Sequence, residues 1–240
     1  MNKIKLVSSV AVLLIAGVLL ASAFFRGFSS SEYTGGSCRI EDYKIVKIGD
    51  QIWMAENLNC YVAGSKCYNN DPSNCAKYGR LYDWSTALAL HSNCNSTSCE
   101  NRINAPHRGI CPEDWHIPSN EEWDTLYSFA GYAISKSNPY ENPTAGKHLK
   151  AAKGWLNFGF SDSSKTYLCE DNFDFSALPG GIGNSEGYFS NIGGYGFWWS
   201  ISEYNGLNAY GRGMTYNSDC ANWFNRGKNY LFSVRCLRDY

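Results

Sequence analysis

The stretch CPEDWHIPSNEEWDTLYSFAG, residues 111–131, carries the clearest structural signal in the chain. Ser119 and Glu122 follow Pro118 at the spacing of a capping box. In that motif the hydroxyl and the carboxylate satisfy backbone N–H groups left open at a helix start. Trp123, Leu126, Tyr127 and Ala130 then fall on one helical face, and Gly131 supplies a stop. The spacing predicts a helix after Pro118 with an aromatic stripe turned inward.

Upstream, residues 43–48 and 51–54 are strand-like and are joined by Gly49-Asp50. A two-residue loop that starts with glycine suits a type II′ hairpin turn. Residues 83–91 (DWSTALALH) read as a short helix. The rest of residues 75–100 reads as a loop region rich in Asn, Ser and Cys. Downstream, residues 144–153 form a third short helical pattern, with Ala145, Leu149 and Ala152 on one side and Gly154 as the stop. After Trp155 the pattern changes to short strands and glycine turns. Residues 173–178 and 196–202 are expected strands. Tyr210, Arg212, Met214 and Tyr216 alternate with small residues. In residues 229–238, Tyr230, Phe232, Val234 and Cys236 share one face, and Leu231, Ser233, Arg235 and Leu237 the other. Helices come first and antiparallel strands later, so the expected class is α+β.

Composition agrees. The 240 residues are 44% hydrophobic, 18% charged and 15% aromatic, with 23 glycines. That mixture suits short strands and tight turns better than a helical bundle. The formal net charge of −1 excludes a chain built around a nucleic-acid surface, which needs clustered Lys and Arg.

The N-terminus reads as an export signal. Lys3 and Lys5 precede residues 6–25, which carry no charge. Ala21-Ser22-Ala23 fits signal-peptidase cleavage, and the apolar run is also long enough for an uncleaved anchor. Both readings put the rest outside the cytoplasm. No cysteine follows the small residues closely, which argues against a lipoprotein. The expected organisation is therefore residues 1–25 as signal peptide or membrane anchor, 26–37 as a Ser/Gly-rich tether and 38–240 as one domain. The expected location is the cell surface, periplasm or extracellular space.

All ten cysteines lie beyond the apolar run, as expected of disulfides in an exported chain. No C-x-x-C pair argues for structural zinc. Cys67–Cys75 and Cys94–Cys99 are close enough to staple local loops. Cys111 and Cys236 bracket more than a hundred residues, and Cys38–Cys60 and Cys169–Cys220 are the remaining pairings. Spacing alone does not select among the many connectivities that ten cysteines allow.

Seven segments carry a family resemblance. They are WMAENL (53–58), YGRLYDW (78–84), CPEDWHIP (111–118), Glu122-Trp123, SALPGG (176–181), FWWS (197–200) and SVRCLRD (233–239). Their order and spacing resemble the Fibrobacter succinogenes major paralogous domain over about residues 38–240. More remotely, the helix start after Trp115-His116-Ile117-Pro118 and the Ser233-Val234-Arg235-Cys236 end resemble the C-type-lectin-like fold shared with formylglycine-generating enzymes. That resemblance implies a compact α+β unit with termini on neighbouring strands, and it supports the Cys111–Cys236 bridge. It implies no established activity.

Catalytic signals are weak. H-E-x-x-H and P-loop motifs are absent. His91, His107, His116 and His148 are scattered, and His116, between Trp115 and Ile117, reads as packed. Cys220 and Cys236 only loosely imitate the reactive pair of formylglycine-generating enzymes. Calcium-dependent lectins use E-P-N or Q-P-D and W-N-D. Here Glu141-Asn142-Pro143 has the wrong order, and Asn222-Trp223-Phe224-Asn225 lacks the acid. Glu170, Asp171, Asn172 and Asp174 offer oxygen ligands but read as a solvated turn, so no cofactor is expected.

The remaining candidate is an aromatic and amide-rich surface. Trp198, Trp199, Tyr204, Tyr210, Tyr216, Trp223 and Tyr230 are interleaved with Asn205, Asn208, Asn217, Asn222 and Asn225. Aromatic faces stack on sugar rings while amides and acids bond the hydroxyls. Trp199 and Trp223 are expected to stack, with Glu203 and Asn225 as hydroxyl partners. The expected function is non-catalytic binding or adhesion to a glycan or another surface protein. The alternative is an enzyme on a formylglycine-generating-like fold.

Overall fold

The computed structural model describes residues 38–135, 144–156 and 169–240. The apolar run of residues 6–25, the tether and Glu141-Asn142-Pro143 lie outside the described residues. Among the described residues no helix is long and apolar enough to cross a membrane.

The domain is α+β. A hairpin of β1 (Ile45–Ile48) and β2 (Gln51–Met54) opens it. Only Gly49 of the connecting pair has positive φ (60°), the pattern of a type II′ turn. Next come α1 (Pro72–Tyr78), α2 (Trp84–Ala87), β3 (Trp115–His116), α3 (Asn120–Ser135) and α4 (Ala145–Leu149). The C-terminal half holds β4 (Ile182–Asn184), β5 (Phe189–Ser190), β6 (Tyr195–Glu203), β7 (Asn208–Thr215), β8 (Ala221–Gly227), β9 (Tyr230–Leu231) and β10 (Leu237–Arg238). Three antiparallel sheets have the orders β1-β2-β10-β3, β5-β4-β9 and β6-β7-β8. Leu237 pairs with both Trp53 and His116, so the last strand lies between β2 and β3.

The expected capping box is present. Glu122 N donates to Ser119 Oγ at 3.2 Å, and Ser119 N donates to Glu122 Oε2 at 2.9 Å. Trp123, Leu126, Tyr127 and Ala130 are buried as the stripe requires. The helix runs through Gly131 to Ser135, however, because glycine weakens a helix interior without ending it.

Other boundaries differ from the sequence reading. The helix expected over residues 83–91 is confined to α2, since Ala89 adopts φ 53° just after it. α4 ends at Leu149, and Ala152 is exposed. α1 replaces part of the expected loop; Asp71 accepts from Ser73 N and Pro72 starts the first turn. Residues 173–178 are no strand, because Asp174 and Ser176 have φ of 54° and 51°. The expected alternation of residues 229–238 becomes two short strands, with residues 231–237 buried on both sides.

β6 divides the core. Successive strand residues point to opposite faces, so Trp198 and Trp199 feed different clusters. Trp198 joins Trp53, Trp123 and Phe175, and Trp199 joins Tyr82, Trp84, Phe232 and Val234. Arg235 is buried between these layers. It donates to Asn57 Oδ1 at 2.8 Å and to the carbonyls of Phe175 and Ser176. Asn57 Oδ1 also accepts from Trp198 Nε1 at 2.8 Å.

Disulfides join Cys38–Cys60, Cys67–Cys75, Cys94–Cys99 and Cys111–Cys236. Cys169 and Cys220 are free thiols, so the fifth pairing expected from the sequence is not formed. Four such bonds fit an extracellular or periplasmic protein, because disulfides persist in oxidising compartments.

Candidate ligand-binding surface

The surface is built on the outer end of β6-β7-β8. In the β7–β8 register Tyr210 faces Asn225 and Arg212 faces Trp223, so these four side chains lie on one side. The other edge of β6 is closed by the chain around Ser233, whose N–H and carbonyl bond Phe197 and Trp199. β8 is the outer strand of this sheet. Of the eight tryptophans, six are buried, Trp155 is partly so, and Trp223 remains 63% exposed.

Trp223 continues a row of rings. Its centroid lies 5.9 Å from Tyr210, and Tyr210 lies 5.3 Å from Tyr204; both contacts are edge-to-face. Tyr204 is half-exposed, and Asn225 is open to solvent. Beneath the row, the buried Arg212 guanidinium donates to Asp124 Oδ1 at 2.8 Å and to the Asn120 carbonyl at 2.9 Å. Asp124 is itself largely exposed and is held by Arg212, the cross-strand neighbour of Trp223.

A buried ion pair holds the hairpin that carries Tyr204. Lys228, with no exposed surface, lies 3.0 Å from Glu203 Oε1 and donates to the carbonyls of Thr97 and Gly206 at 3.2 Å each. Its ammonium also lies 4.4 Å from the Trp84 ring centroid. Glu203 Oε2 accepts from Cys99 N at 2.9 Å. The turn itself is set by Asn205 Oδ1, which accepts from the N–H groups of Leu207 and Asn208.

Two of the four expected contact residues are therefore elsewhere. Trp199 is fully buried, donates Nε1–H to the Tyr82 carbonyl at 2.8 Å and packs 4.2 Å from Phe232. Alternation would turn it to solvent only on a one-sided sheet, and β6 is covered on both sides. Glu203 keeps 4% of its side chain exposed and neutralises Lys228 instead of facing a ligand. Trp223 and Asn225 do share the open face. Tyr204 and Tyr210 complete the row; their interleaving with amides was visible in the sequence, but their contact with Trp223 depends on the register.

The other candidate chemistry is internal. Asp171 accepts from Ser176 N and Oγ, Glu170 pairs with Lys147 at 2.8 Å, and Asn172 Oδ1 meets His148 Nδ1 at 2.5 Å. Asp171 thus serves a turn, while Glu170 and Asn172 tie that turn to α4. Among the described residues no group of three or more His, Cys, Asp or Glu converges to hold a metal. His116 is buried between Glu122 (2.9 Å) and Asp239 (2.6 Å). Cys236 is bonded to Cys111, so it is no partner for Cys220. Gly183-Asn184-Ser185-Glu186-Gly187 has G-x-S-x-G spacing. It lies in the β4–β5 hairpin, where Asn184 Oδ1 accepts from Glu186 N and Tyr188 N. A nucleophile elbow requires a strand-to-helix turn.

The family model described as Fibrobacter succinogenes major domain matches residues 46–238. No curated protein and no solved structure matches the chain.

Proposed function

This chain belongs to the Fibrobacter succinogenes major domain family, and from that premise we propose that it is an exported, non-catalytic adhesion module that binds pyranose-type glycans through Tyr204, Tyr210, Trp223 and Asn225. The observation that carries this reading is the exposure of Trp223 in a chain that buries six of its other tryptophans. An exposed indole offers an apolar plate. Asn225, the cross-strand neighbour of Tyr210, and Asp124, bonded to Arg212, offer amide and carboxylate groups suited to sugar hydroxyls. Each stacking contact is worth on the order of 0.5–1.5 kcal/mol by analogy with aromatic pairs. Single-site affinity is then weak, and many copies on one cell surface raise it through avidity.

The N-terminal apolar run serves this role as a cleaved export signal or as an anchor that keeps the domain at the surface. Pairing of the last strand with β2, together with the Cys111–Cys236 bond, supports the C-type-lectin-like reading of the fold. The enzyme alternative has less support, because Cys236 is committed to a disulfide. A glycan array probed with the purified protein, with and without calcium, tests the proposal. Binding without calcium and its loss in Trp223→Ala are expected. An array with no carbohydrate signal overturns the glycan reading.

A further inference from the structure

Eight cysteines are bonded and two are not, although both free thiols belong to the same exported domain. Cys169 and Cys220 are distant in sequence and are brought to one place by α4. Lys147 N donates to the Asp219 carbonyl at 3.0 Å, and the Lys147 carbonyl accepts from Glu170 N at 2.9 Å. The cysteines are the immediate chain neighbours of those two partners, so they flank the same residue. Gly146 permits the close approach: a Cβ there would stand 2.4 Å from the Cys220 carbonyl oxygen.

A buried cation lies beside the segment that leads to Cys220. Lys150 is fully buried and donates to the carbonyls of Thr215 (3.0 Å) and Ser218 (2.7 Å). Burial lowers its pKa, while Cys169, Asp219 and Cys220 favour its charge. In return, burial raises the Cys169 pKa and Lys150 opposes that rise, with Asp219 and Asp171 acting on the side of burial. Neither cysteine is fully buried, so an external reagent has access to the pair. A thiolate is the species that attacks disulfides.

We propose that Cys169 and Cys220 are a reversible dithiol site, closed to a fifth disulfide by exchange with an external disulfide, either a small molecule or a protein oxidoreductase. One thiol loses its proton to water and its thiolate attacks the donor R–S–S–R. A mixed disulfide forms and RS⁻ leaves. The second thiolate then attacks the protein-side sulfur of that mixed disulfide, forms the Cys169–Cys220 bond and expels a second RS⁻. The two thiolates that leave take up the two protons. The protein dithiol is oxidised by two electrons and the donor is reduced to two thiols. Closure anchors the chain one residue before β8, the strand that carries Trp223.

The full-length exported protein is incubated with oxidised glutathione, alkylated and digested for mass spectrometry. The expected result is a linked Cys169–Cys220 peptide lighter by two hydrogens, opened by mild dithiothreitol before the other four bonds. Closure should raise the Tm by about 5–10 °C, the range set by a disulfide of ordinary strength in a domain of this size. Cys169→Ser should stop at a glutathione adduct on Cys220. Full alkylation of both cysteines in the wild-type protein after oxidation, or glutathione adducts with no linked peptide, overturns the proposal.

Discussion

Trp223 meets Tyr210 edge-on with ring centroids 5.9 Å apart, yet keeps 63% of its surface open. The contact fixes the indole without covering it. β6 has the opposite arrangement, since Trp198 and Trp199 leave on opposite faces and both end with no exposed surface. Solvent exposure and core packing are thus divided between tryptophans on strands of the same sheet.

Substitution should separate those roles. Trp199→Ala is expected to cost about 3–5 kcal/mol, the range for a buried aromatic truncated in a core. Trp223→Ala should change stability by less than about 1 kcal/mol, as is usual for exposed positions. Denaturant melts of the two variants check this, and equal losses would place Trp223 in the core.

The Glu203–Lys228 pair should behave as a buried ion pair. Glu203→Gln leaves Lys228 buried without its counter-charge and is expected to destabilise by roughly 3–5 kcal/mol. Replacing both residues with apolar ones of similar volume should recover most of that loss. Thermal unfolding of the single and double variants provides the comparison.

How far the sequence reached depends on the range of the interaction. The capping box of Ser119 and Glu122 is local, and it was legible. Capping by Asp71 with Pro72 is equally local, but the Asn, Ser and Cys content from residue 75 onward reads as loop and hides the last turn of α1. Of the left-handed residues, Asp174 donates its N–H to the Asp171 carbonyl and Ser176 its N–H to the Asp171 carboxylate, bonds that apolar patterning does not encode. At the surface, Trp223-Phe224-Asn225 stood out by composition. The burial of Trp199 and Glu203 depends on Phe232 and Lys228, contacts set by tertiary packing.

Stability should vary with pH through His116. Both ring nitrogens face carboxylates, so the ring is best satisfied with both protons present. Burial opposes that charge, but the hydrogen bonds that the ring donates to Glu122 and then Asp239 outweigh it and raise the pKa above the ordinary 6.5. This contribution is complete below 6.5 and is lost as pH rises through the folded-state value. For Glu122, burial acts upward, but His116 and Ser119 N–H hold the pKa below its ordinary 4.5. Its contribution is complete above 4.5 and lost as pH falls through the folded value. The site therefore stabilises most between about pH 4.5 and 6.5. Urea melts across pH should show decline on both sides, and His116→Gln should flatten the alkaline decline. An unchanged alkaline limb would assign it to other groups.

The Cys111–Cys236 bond closes the longest loop of the four, with a sequence separation of 125. Its removal in Cys111→Ala/Cys236→Ala should cost about 4–5 kcal/mol on the chain-entropy estimate. Removal of Cys94–Cys99, with a separation of 5, should cost less. Calorimetry of the two double variants tests the order.

The central claim is that a glycan covers Trp223. Tryptophan fluorescence quenched by acrylamide reads it directly, because Trp223 supplies most of the exposed indole surface. A glycan selected on the array should reduce quenching in a saturable way, and Trp223→Ala should remove both the accessible fraction and its protection. Saturable binding with undiminished quenching of Trp223, or full binding by the Trp223→Ala protein, would contradict the account.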